Sequence, residues 1–332
     1  MRALILAPFS DRYLARLRTK MDAVYESWLD TNLLQDPDEL GARLATESFD
    51  AVIVEADFVF EEVFDAAPDL RLVGVCRNAL NQVDIASATA HGVAVSHARG
   101  RNTNAVAEMT VGLMLSLARH IPQAHALVSG AGWRDPVIGY RMLRGREIAG
   151  STVGVVGFGQ IGREVAVKCH ALGARVLVSD PFVPDRQVER RGAVPAELAR
   201  LTKAADFITL HVPDDESTAR LVDAAFLERM KRSAYLVNTG GGAVVDPDAL
   251  AAALREGVIA GAALDVFEGH PLPATSPLMS TPNLTLTPHI GGATAETIER
   301  HSKIMASEIE RLLDGKPLRH VVNPDYRLVR AG

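Results

Sequence analysis

One glycine pattern constrains the fold of this chain more than any other feature. Residues 151–156 predict a short buried strand, and residues 163–172 predict a helix. Between them, Gly157 permits a tight turn, Gly159 lets the backbone approach a pyrophosphate, and Gly162 lets the helix pack closely on the strand. The spacing therefore predicts a βαβ unit that holds a nucleotide at the helix N-terminus.

The end of the following strand indicates which nucleotide binds. A strand is predicted over residues 175–179 and ends at Asp180, 18 residues after Gly162. A carboxylate at this place can bind both ribose hydroxyls and would repel a 2′-phosphate, so we expect NAD rather than NADP. The alternative is an ordinary βαβ turn without a nucleotide, because glycine-rich turns are common.

Strands and helices alternate along most of the chain, which predicts parallel α/β sheets. The first half contains helices over 11–21 and 37–46, and a long helix spans 103–120. The predicted strands cover residues 3–7, 51–54, 72–75, 92–95, 175–179, 207–211, 234–238, 261–265 and 284–287. Two α/β units follow from this rhythm, and the second contains the glycine pattern.

Length and composition exclude several function classes. The 332 residues suffice for two domains, and the net charge of −6 is spread without a basic stripe, so we expect no nucleic acid partner. Cys76 and Cys169 lie far apart in apolar segments, which predicts neither a disulfide nor a metal site. We expect no membrane partner and a cytoplasmic location, since no long apolar run or signal peptide is present.

Six short motifs occur in a fixed order along the chain, and their combination is more specific than any one of them. Together they resemble the D-isomer-specific 2-hydroxyacid dehydrogenases over nearly the whole length. The motifs are Asn104-Ala105-Val106-Ala107-Glu108, Gly157 to Gly162, Leu210-His211-Val212-Pro213, Val237-Asn238-Thr239, Ala263-Leu264-Asp265-Val266-Phe267 and Thr287-Pro288-His289-Ile290-Gly291-Gly292.

The resemblance implies two doubly wound parallel-sheet domains, one Rossmann-like and one flavodoxin-like, with a cleft between them. Residues 101–294 would form the NAD-binding Rossmann domain, and residues 1–100 with 295–332 would form the flavodoxin-like substrate domain. It also implies a homodimer joined through the cofactor domains and a chain without a further regulatory domain.

The resemblance also assigns the cofactor site and the proton donor. Asp265 would hold the nicotinamide carboxamide, although an aspartate here could also only cap a turn. His289 would exchange a proton with the substrate oxygen, a role that suits an imidazole. The residues expected to contact NAD are Gly157, Gly159, Gln160, Ile161, Gly162, Asp180, His211, Val212, Pro213, Thr239, Asp265 and His289.

The chain departs from the family pattern where an arginine normally grips the substrate carboxylate. That position is Gly241, and glycine supplies neither a cation nor a planar pair of donors. We expect Gly241 to line the substrate site and to leave room for a bulkier or differently charged substrate. The alternative is a flexible loop in an enzyme that has lost activity.

A second departure concerns the partner of the catalytic histidine. The family's glutamate position is His270, which we expect to replace it as the partner of His289. A neutral imidazole stabilises imidazolium less than a carboxylate does, so the pKa of His289 should lie below that of its counterparts if the rings meet. His270 could instead be a loop residue, and Glu268 could take its place.

The predicted substrate loop differs from the family as well. Residues 77–84 replace a glycine-rich turn, and the side chains expected to contact substrate are Arg77, Asn78, Ala79 and Leu80. Amide groups here suit a polyhydroxylated ligand as well as a small keto acid. Arg77 could supply the missing cation. Weaker candidates are Arg99, Arg101, Arg141 and Arg144.

The cofactor motifs are intact while the substrate-facing positions have changed. We therefore expect an NAD-dependent dehydrogenase or reductase that acts on an atypical 2-hydroxy or 2-keto acid, polyhydroxylated or otherwise substituted. The alternative is a catalytically impaired NAD(H)-sensing or regulatory protein on the same scaffold, since His289 has lost both of its usual partners.

Overall fold

The structure, a computed structural model, describes residues 1–330 and divides the chain into two compact units. The first unit contains Met1–Arg101 and the described part of Thr294–Gly332, and the second contains Asn102–Ala293. The last two residues of the segment predicted over 295–332 lie outside the described residues.

The first unit is built on a five-stranded parallel sheet. Its order is β2-β1-β3-β4-β5, the doubly wound order of flavodoxin-like folds. Strands β3 and β4 are buried at every residue, which explains their continuous apolar sequences. The strands are β1 (Arg2–Ile5), β2 (Asp22–Tyr25), β3 (Ala51–Val54), β4 (Leu72–Val75) and β5 (Ala94–His97).

Helices cover both faces of this sheet. One face packs on α1 and α14, and the other packs on α3, α4 and α5. Asp36 begins α3 by accepting hydrogen bonds from two backbone N–H groups, and Thr294 begins α14 by accepting one from Thr297 N. The helices are α1 (Asp11–Arg18), α2 (Trp28–Thr31), α3 (Pro37–Thr46), α4 (Glu61–Ala66), α5 (Ile85–Ala90), α14 (Ala295–Leu313) and α15 (Tyr326–Arg330).

The second unit is built on a seven-stranded parallel sheet. Its order is β12-β11-β10-β9-β6-β7-β8, which is the Rossmann order with one further strand. The strands are β6 (Thr152–Val156), β7 (Arg175–Ser179), β8 (Val194–Pro195), β9 (Phe207–Leu210), β10 (Tyr235–Asn238), β11 (Gly261–Leu264) and β12 (Leu284–Leu286).

Helices also cover both faces of the second sheet. One face packs on α6 and α9, and the other packs on α11, α12 and α13. Two short 3₁₀ helices cover Gly242–Val244 and Pro277–Ser280. The α-helices are α6 (Thr103–Ala118), α7 (Ile121–Ser129), α8 (Pro136–Met142), α9 (Gln160–Ala171), α10 (Asp185–Glu189), α11 (Leu198–Ala204), α12 (Ala224–Arg229) and α13 (Pro247–Arg255).

The strand order of the second unit determines where a ligand can bind. The chain direction across the sheet reverses between β6 and β9, and ligands of open α/β sheets bind at the carboxyl ends of the strands at such a point. Gly157 follows β6 there, and His211 follows β9. The two doubly wound parallel sheets confirm the predicted fold class. Of the helices in residues 1–330, none combines the length and apolar character that a membrane crossing requires.

Candidate active site

The glycine loop between β6 and α9 has the geometry that a pyrophosphate requires. Gly157 has a φ of +90°, and a Cβ there would lie 2.6 Å from His211 O. A Cβ on Gly162 would collide with Gly157 O. A Cβ on Gly159, by contrast, would have no atom within 4 Å, so open space lies directly before the first N–H groups of α9. The loop therefore fits the phosphates of a dinucleotide.

Asp180 is fixed at the carboxyl end of β7 beside this loop. Its Oδ2 accepts a hydrogen bond from Phe158 N at 2.6 Å, and its Oδ1 accepts one from Phe182 N at 2.8 Å. Each oxygen keeps a second lone pair, which could accept a ribose hydroxyl. The arrangement suits the ribose of NAD.

His211 contributes a half-buried polar ring to the same end of the sheet. Its Nε2 lies 2.9 Å from Thr209 Oγ1, and burial lowers the pKa of His211 to about 3, so the ring is neutral. Its Nδ1 is buried and has no hydrogen-bond partner within residues 1–330. An unpaired buried nitrogen costs about 1–3 kcal/mol. A polar group of the cofactor expected here could form a hydrogen bond with Nδ1 and remove this cost.

The loop after β10 is held in one conformation by Asn238 and Asp214. Asn238 Nδ2 donates to Gly241 O at 2.8 Å, and Asn238 Oδ1 accepts from Gly240 N at 3.0 Å. Asp214 Oδ2 accepts from Gly242 N at 3.2 Å. Thr239, which begins the loop, is buried and lies 2.8 Å from Thr110 Oγ1 through its own hydroxyl.

Gly241 does not leave an empty volume in the direction of a side chain. A Cβ at this residue would lie 2.9 Å from Asp214 Cβ and 2.9 Å from Val244 Cγ2. Asp214 and Val244 thus lie where the side chain of any other residue would begin, and the expectation of room for a bulkier substrate stays a prediction. The contact of Gly241 with substrate stays a prediction. The pattern of glycines gave no sign of Asp214, which lies 27 residues earlier.

Asp265 positions the loop that carries the candidate proton donor. The carboxylate is 1% exposed at the end of β11. Its Oδ1 accepts from Thr287 Oγ1 at 2.6 Å and from Ile290 N at 2.9 Å, and its Oδ2 accepts from Gly291 N at 2.7 Å. The carboxylate thus binds residues on both sides of His289. The predicted contact of Asp265 with nicotinamide stays a prediction.

His289 and His270 are in hydrogen-bond contact. His289 Nδ1 lies 3.1 Å from His270 Nε2, and the ring centroids are 4.8 Å apart. His289 is exposed and has a φ of +55°, a left-handed conformation that is uncommon outside glycine and frequent at functional sites. The two rings therefore meet, as the replacement of the family glutamate by His270 requires.

The histidine pair differs chemically from a histidine–carboxylate pair. One nitrogen must donate the proton and the other must accept it, so the contact couples the tautomer of one ring to that of the other. The pair carries no negative charge, whereas a carboxylate would favour the protonated imidazole. Glu268, the alternative partner, is exposed. The roles of His270 and His289 in catalysis stay predictions.

The predicted substrate loop follows β4 in the first unit. Arg77 and Leu80 are half-buried, and Asn78 and Ala79 are exposed. His97 Nδ1 lies 3.4 Å from Asn78 O, and burial lowers the pKa of His97. The contacts of these residues with substrate stay predictions.

Two of the weaker candidate cations have partners of their own. Arg101 is ion-paired with Glu55 Oε1 at 2.5 Å, and the guanidinium of Arg144 lies 5.1 Å from the centre of the Tyr140 ring. Arg101 Nη1 also lies 2.8 Å from His301 Nδ1. Because 200 residues separate Arg101 and His301, no local pattern could have shown this contact.

Comparison with known proteins shows the family to which the chain belongs. The sequence model described as "D-isomer specific 2-hydroxyacid dehydrogenase, NAD binding domain" matches residues 111–291. A glyoxylate reductase of Thermofilum pendens is 38% identical over 282 residues, which are 82% of this chain and 81% of that protein. A putative 2-hydroxyacid dehydrogenase of Bacillus subtilis is 34% identical over 322 residues, covering 96% of this chain and 92% of the relative.

Solved structures show the same fold. The TT0316 protein of Thermus thermophilus has a TM-score of 0.84 and 32% identity, with 97% of this chain and 100% of that chain covered. Together with the matching family sequence model and the glycine loop, these relatives confirm NAD as the cofactor and an oxidoreductase that acts on a CH–OH group. The chain belongs to the D-isomer-specific 2-hydroxyacid dehydrogenase family.

Proposed function

We propose that this dehydrogenase interconverts a substituted or polyhydroxylated 2-hydroxy acid and the corresponding 2-keto acid. The observation that carries the proposal is the contact of 3.1 Å between His270 and His289 beside an intact cofactor loop. The residues expected to bind the cofactor match the family motifs, whereas the residues expected to contact the substrate differ from them.

The proton transfer falls to His289 in this proposal. The glycine loop and Asp180 would hold NAD(H), which would supply the hydride chemistry of the reaction in both directions. His289 takes the hydroxyl proton in oxidation and gives it back to the carbonyl oxygen in reduction. His270 holds the His289 ring in orientation through the contact with Nδ1, and Asp265 holds the loop backbone.

The substrate carboxylate needs a cation other than residue 241. Arg77 is half-buried and, within residues 1–330, forms no ion pair. We propose that Arg77 binds the carboxylate and that the Asn78 amide binds a hydroxyl of the substituent. Both groups supply donors, which suits an oxygen-rich ligand.

A panel of 2-keto acids with NADH tests this function. The panel runs from glyoxylate and pyruvate to keto acids with two or more further hydroxyl groups. We expect the highest kcat/KM among the hydroxylated members, and turnover of no member would refute the proposal.

The variant Arg77→Ala tests the proposed cation. With the best substrate, Arg77→Ala should raise KM at least about tenfold, which corresponds to about 1.4 kcal/mol. Its NADH affinity should stay unchanged. Arg12→Ala, which removes an exposed arginine of the same unit that is not a candidate for the substrate site, is the matched control and should leave KM unchanged. Equal KM values in all three proteins would refute the proposal that Arg77 binds the substrate carboxylate.

The NAD(H)-sensing alternative gains no support from the relatives, which carry dehydrogenase and reductase names. A sensor also needs no proton donor. Turnover by the purified protein that is lost in His289→Asn would decide for the enzyme.

We further propose a homodimer joined through the second unit and a cytoplasmic location. The segment from α7 to α8 exposes large apolar side chains, which mark interaction surfaces on soluble proteins. The most exposed are Val128 (56%), Trp133 (56%), Tyr140 (70%) and Met142 (66%). Light scattering should give twice the chain mass, and the double variant Tyr140→Ser, Met142→Ser should shift it toward the monomer. A monomeric wild type would contradict the proposal.

A further inference from the structure

A second concave site lies on the surface of the second unit, outside the residues predicted to bind the cofactor. A cavity of about 410 Å³ is lined by Arg163, Arg186, Gln187, Arg190 and Arg191. Helix α9 supplies the first of these residues, and α10 with the turn after it supplies the other four. None of them has a role in the proposed chemistry at His289.

The positive charge of this cavity is poorly compensated. Arg191 Nη1 is 3.9 Å from Glu164 Oε1, and both side chains are substantially exposed. Within residues 1–330, no carboxylate oxygen lies within 4.0 Å of the Arg186 or Arg190 guanidinium. The chain as a whole carries a net charge of −6. The four arginines around this cavity therefore form a local positive patch on a negatively charged protein.

Arg163 is held in place by the glycine loop. Its Nε donates to Phe158 O at 2.8 Å, and its guanidinium lies 5.7 Å from the centre of the Phe158 ring. Its Nη2 approaches Gln187 Oε1 at 3.5 Å, which brings α9 and α10 together at the cavity. The backbone of the glycine loop therefore fixes the position of Arg163 before any ligand binds.

We propose that this cavity binds a small molecule with two or more phosphate groups. Guanidinium groups bind phosphate oxygens through paired N–H donors, and several of them around one concavity suit a multiply charged anion. The volume lies in the range of about 300–1,000 Å³ that small-molecule sites have. Binding would relieve the mutual repulsion of the four cations.

The phosphate could come from two sources. One is a free phosphorylated compound, and the other is the 2′-phosphate of NADP(H) bound along the glycine loop. Asp180 carries a negative charge at the end of β7 and would repel a 2′-phosphate. The free compound is therefore the expected source.

Calorimetric titration with inorganic pyrophosphate tests the site. Saturating NADH keeps the probe out of the cofactor loop, and no catalytic turnover is required. The test variant is Arg186→Gln, Arg190→Gln. The control is Arg200→Gln, Arg229→Gln, which makes the same charge change at exposed positions of the same unit. In a parallel arm, NADH and NADPH affinities are measured for all three proteins.

We expect pyrophosphate to bind the wild type and the control equally, and the test variant at least about tenfold more weakly, with NADH affinity unchanged throughout. If pyrophosphate fails to bind but NADPH binds tighter than NADH, and only the test variant loses this preference, the site stands with the 2′-phosphate as its ligand. Absence of both effects, or equal weakening in the control, would overturn the proposal.

Discussion

His301 makes the stability of the first unit sensitive to acid. The ring is completely buried in α14, where Nε2 lies 2.6 Å from Pro8 O and Nδ1 lies 2.8 Å from Arg101 Nη1. Nδ1 therefore accepts from the arginine and Nε2 donates to the carbonyl, which requires a neutral ring. Burial, together with the charge of Arg101, lowers the pKa of His301 to about 4 from an ordinary value of 6.5.

The sign of the effect follows from proton binding in the two states. Above pH 6.5 the ring is neutral in both states, and its contribution to stability is fully present. Between pH 6.5 and about 4 the unfolded chain binds a proton that the folded chain does not, so stability falls as the pH falls. At 1.36 kcal/mol per pH unit, the loss approaches about 3 kcal/mol. This is a large part of the stability of about 5–15 kcal/mol that is typical of folded proteins.

The variant His301→Gln isolates this contribution. Glutamine can accept from Arg101 and donate to Pro8 O, but it does not titrate. In a Trp133→Phe background, Trp28 is the one tryptophan left in the sequence and reports on the first unit. Urea unfolding followed by its fluorescence should show that the wild type loses about 2.5 kcal/mol more than His301→Gln between pH 7 and about 4.5.

His91 provides the matched control. It lies in the same unit and is paired with Asp65 at the surface, so His91→Gln should keep the acid sensitivity that His301 causes. An equal loss of stability in the wild type and in His301→Gln would refute the reasoning.

Three further predictions concern the candidate active site. His270→Glu places a carboxylate beside His289 and should move the pH at which reductive activity falls upward by about 1–3 pH units, as a pH profile of kcat/KM would show; an unchanged profile counts against the contact. Gly241→Ala should lower the free energy of unfolding by about 1–3 kcal/mol in urea titrations, because its Cβ would press on Asp214; unchanged stability would contradict this. Gly159→Ala should keep stability within about 1 kcal/mol but weaken NADH at least tenfold in fluorescence titrations, since its Cβ enters the space expected for pyrophosphate; wild-type affinity would place the phosphates elsewhere.

The sequence predicted the central strands well but missed two of the four edge strands. The strands predicted over 51–54 and 72–75 match β3 and β4 to the residue, because both are buried on two faces and read as apolar runs. Strands β2 and β8 were missed. Each pairs with one neighbour only and is partly exposed, so its sequence carries no continuous apolar signal. The strand predicted over 92–95 begins two residues too early, since Gly92 has a φ of +66° and belongs to a turn.

The candidate site was predictable where local motifs define it. The glycine loop, Asp180 and the loop of His289 follow directly from short patterns, and the partner of His289 follows from counting along a family motif. The environment of Gly241 depends on Asp214, which a different strand brings into place. The cavity beside Arg163 likewise forms where α9 and α10 pack together, and no local sequence pattern predicts that packing.

The central claim is that His289 exchanges the proton while His270 keeps its ring in orientation. The most direct measurement is the single-turnover rate of NADH oxidation, with the best keto acid, in His289→Asn and in the wild type. Loss of a general acid should lower this rate at least about a hundredfold, while NADH affinity, measured by fluorescence titration, stays within about twofold. A rate in His289→Asn close to that of the wild type would contradict the assignment of His289 and the mechanism built on it.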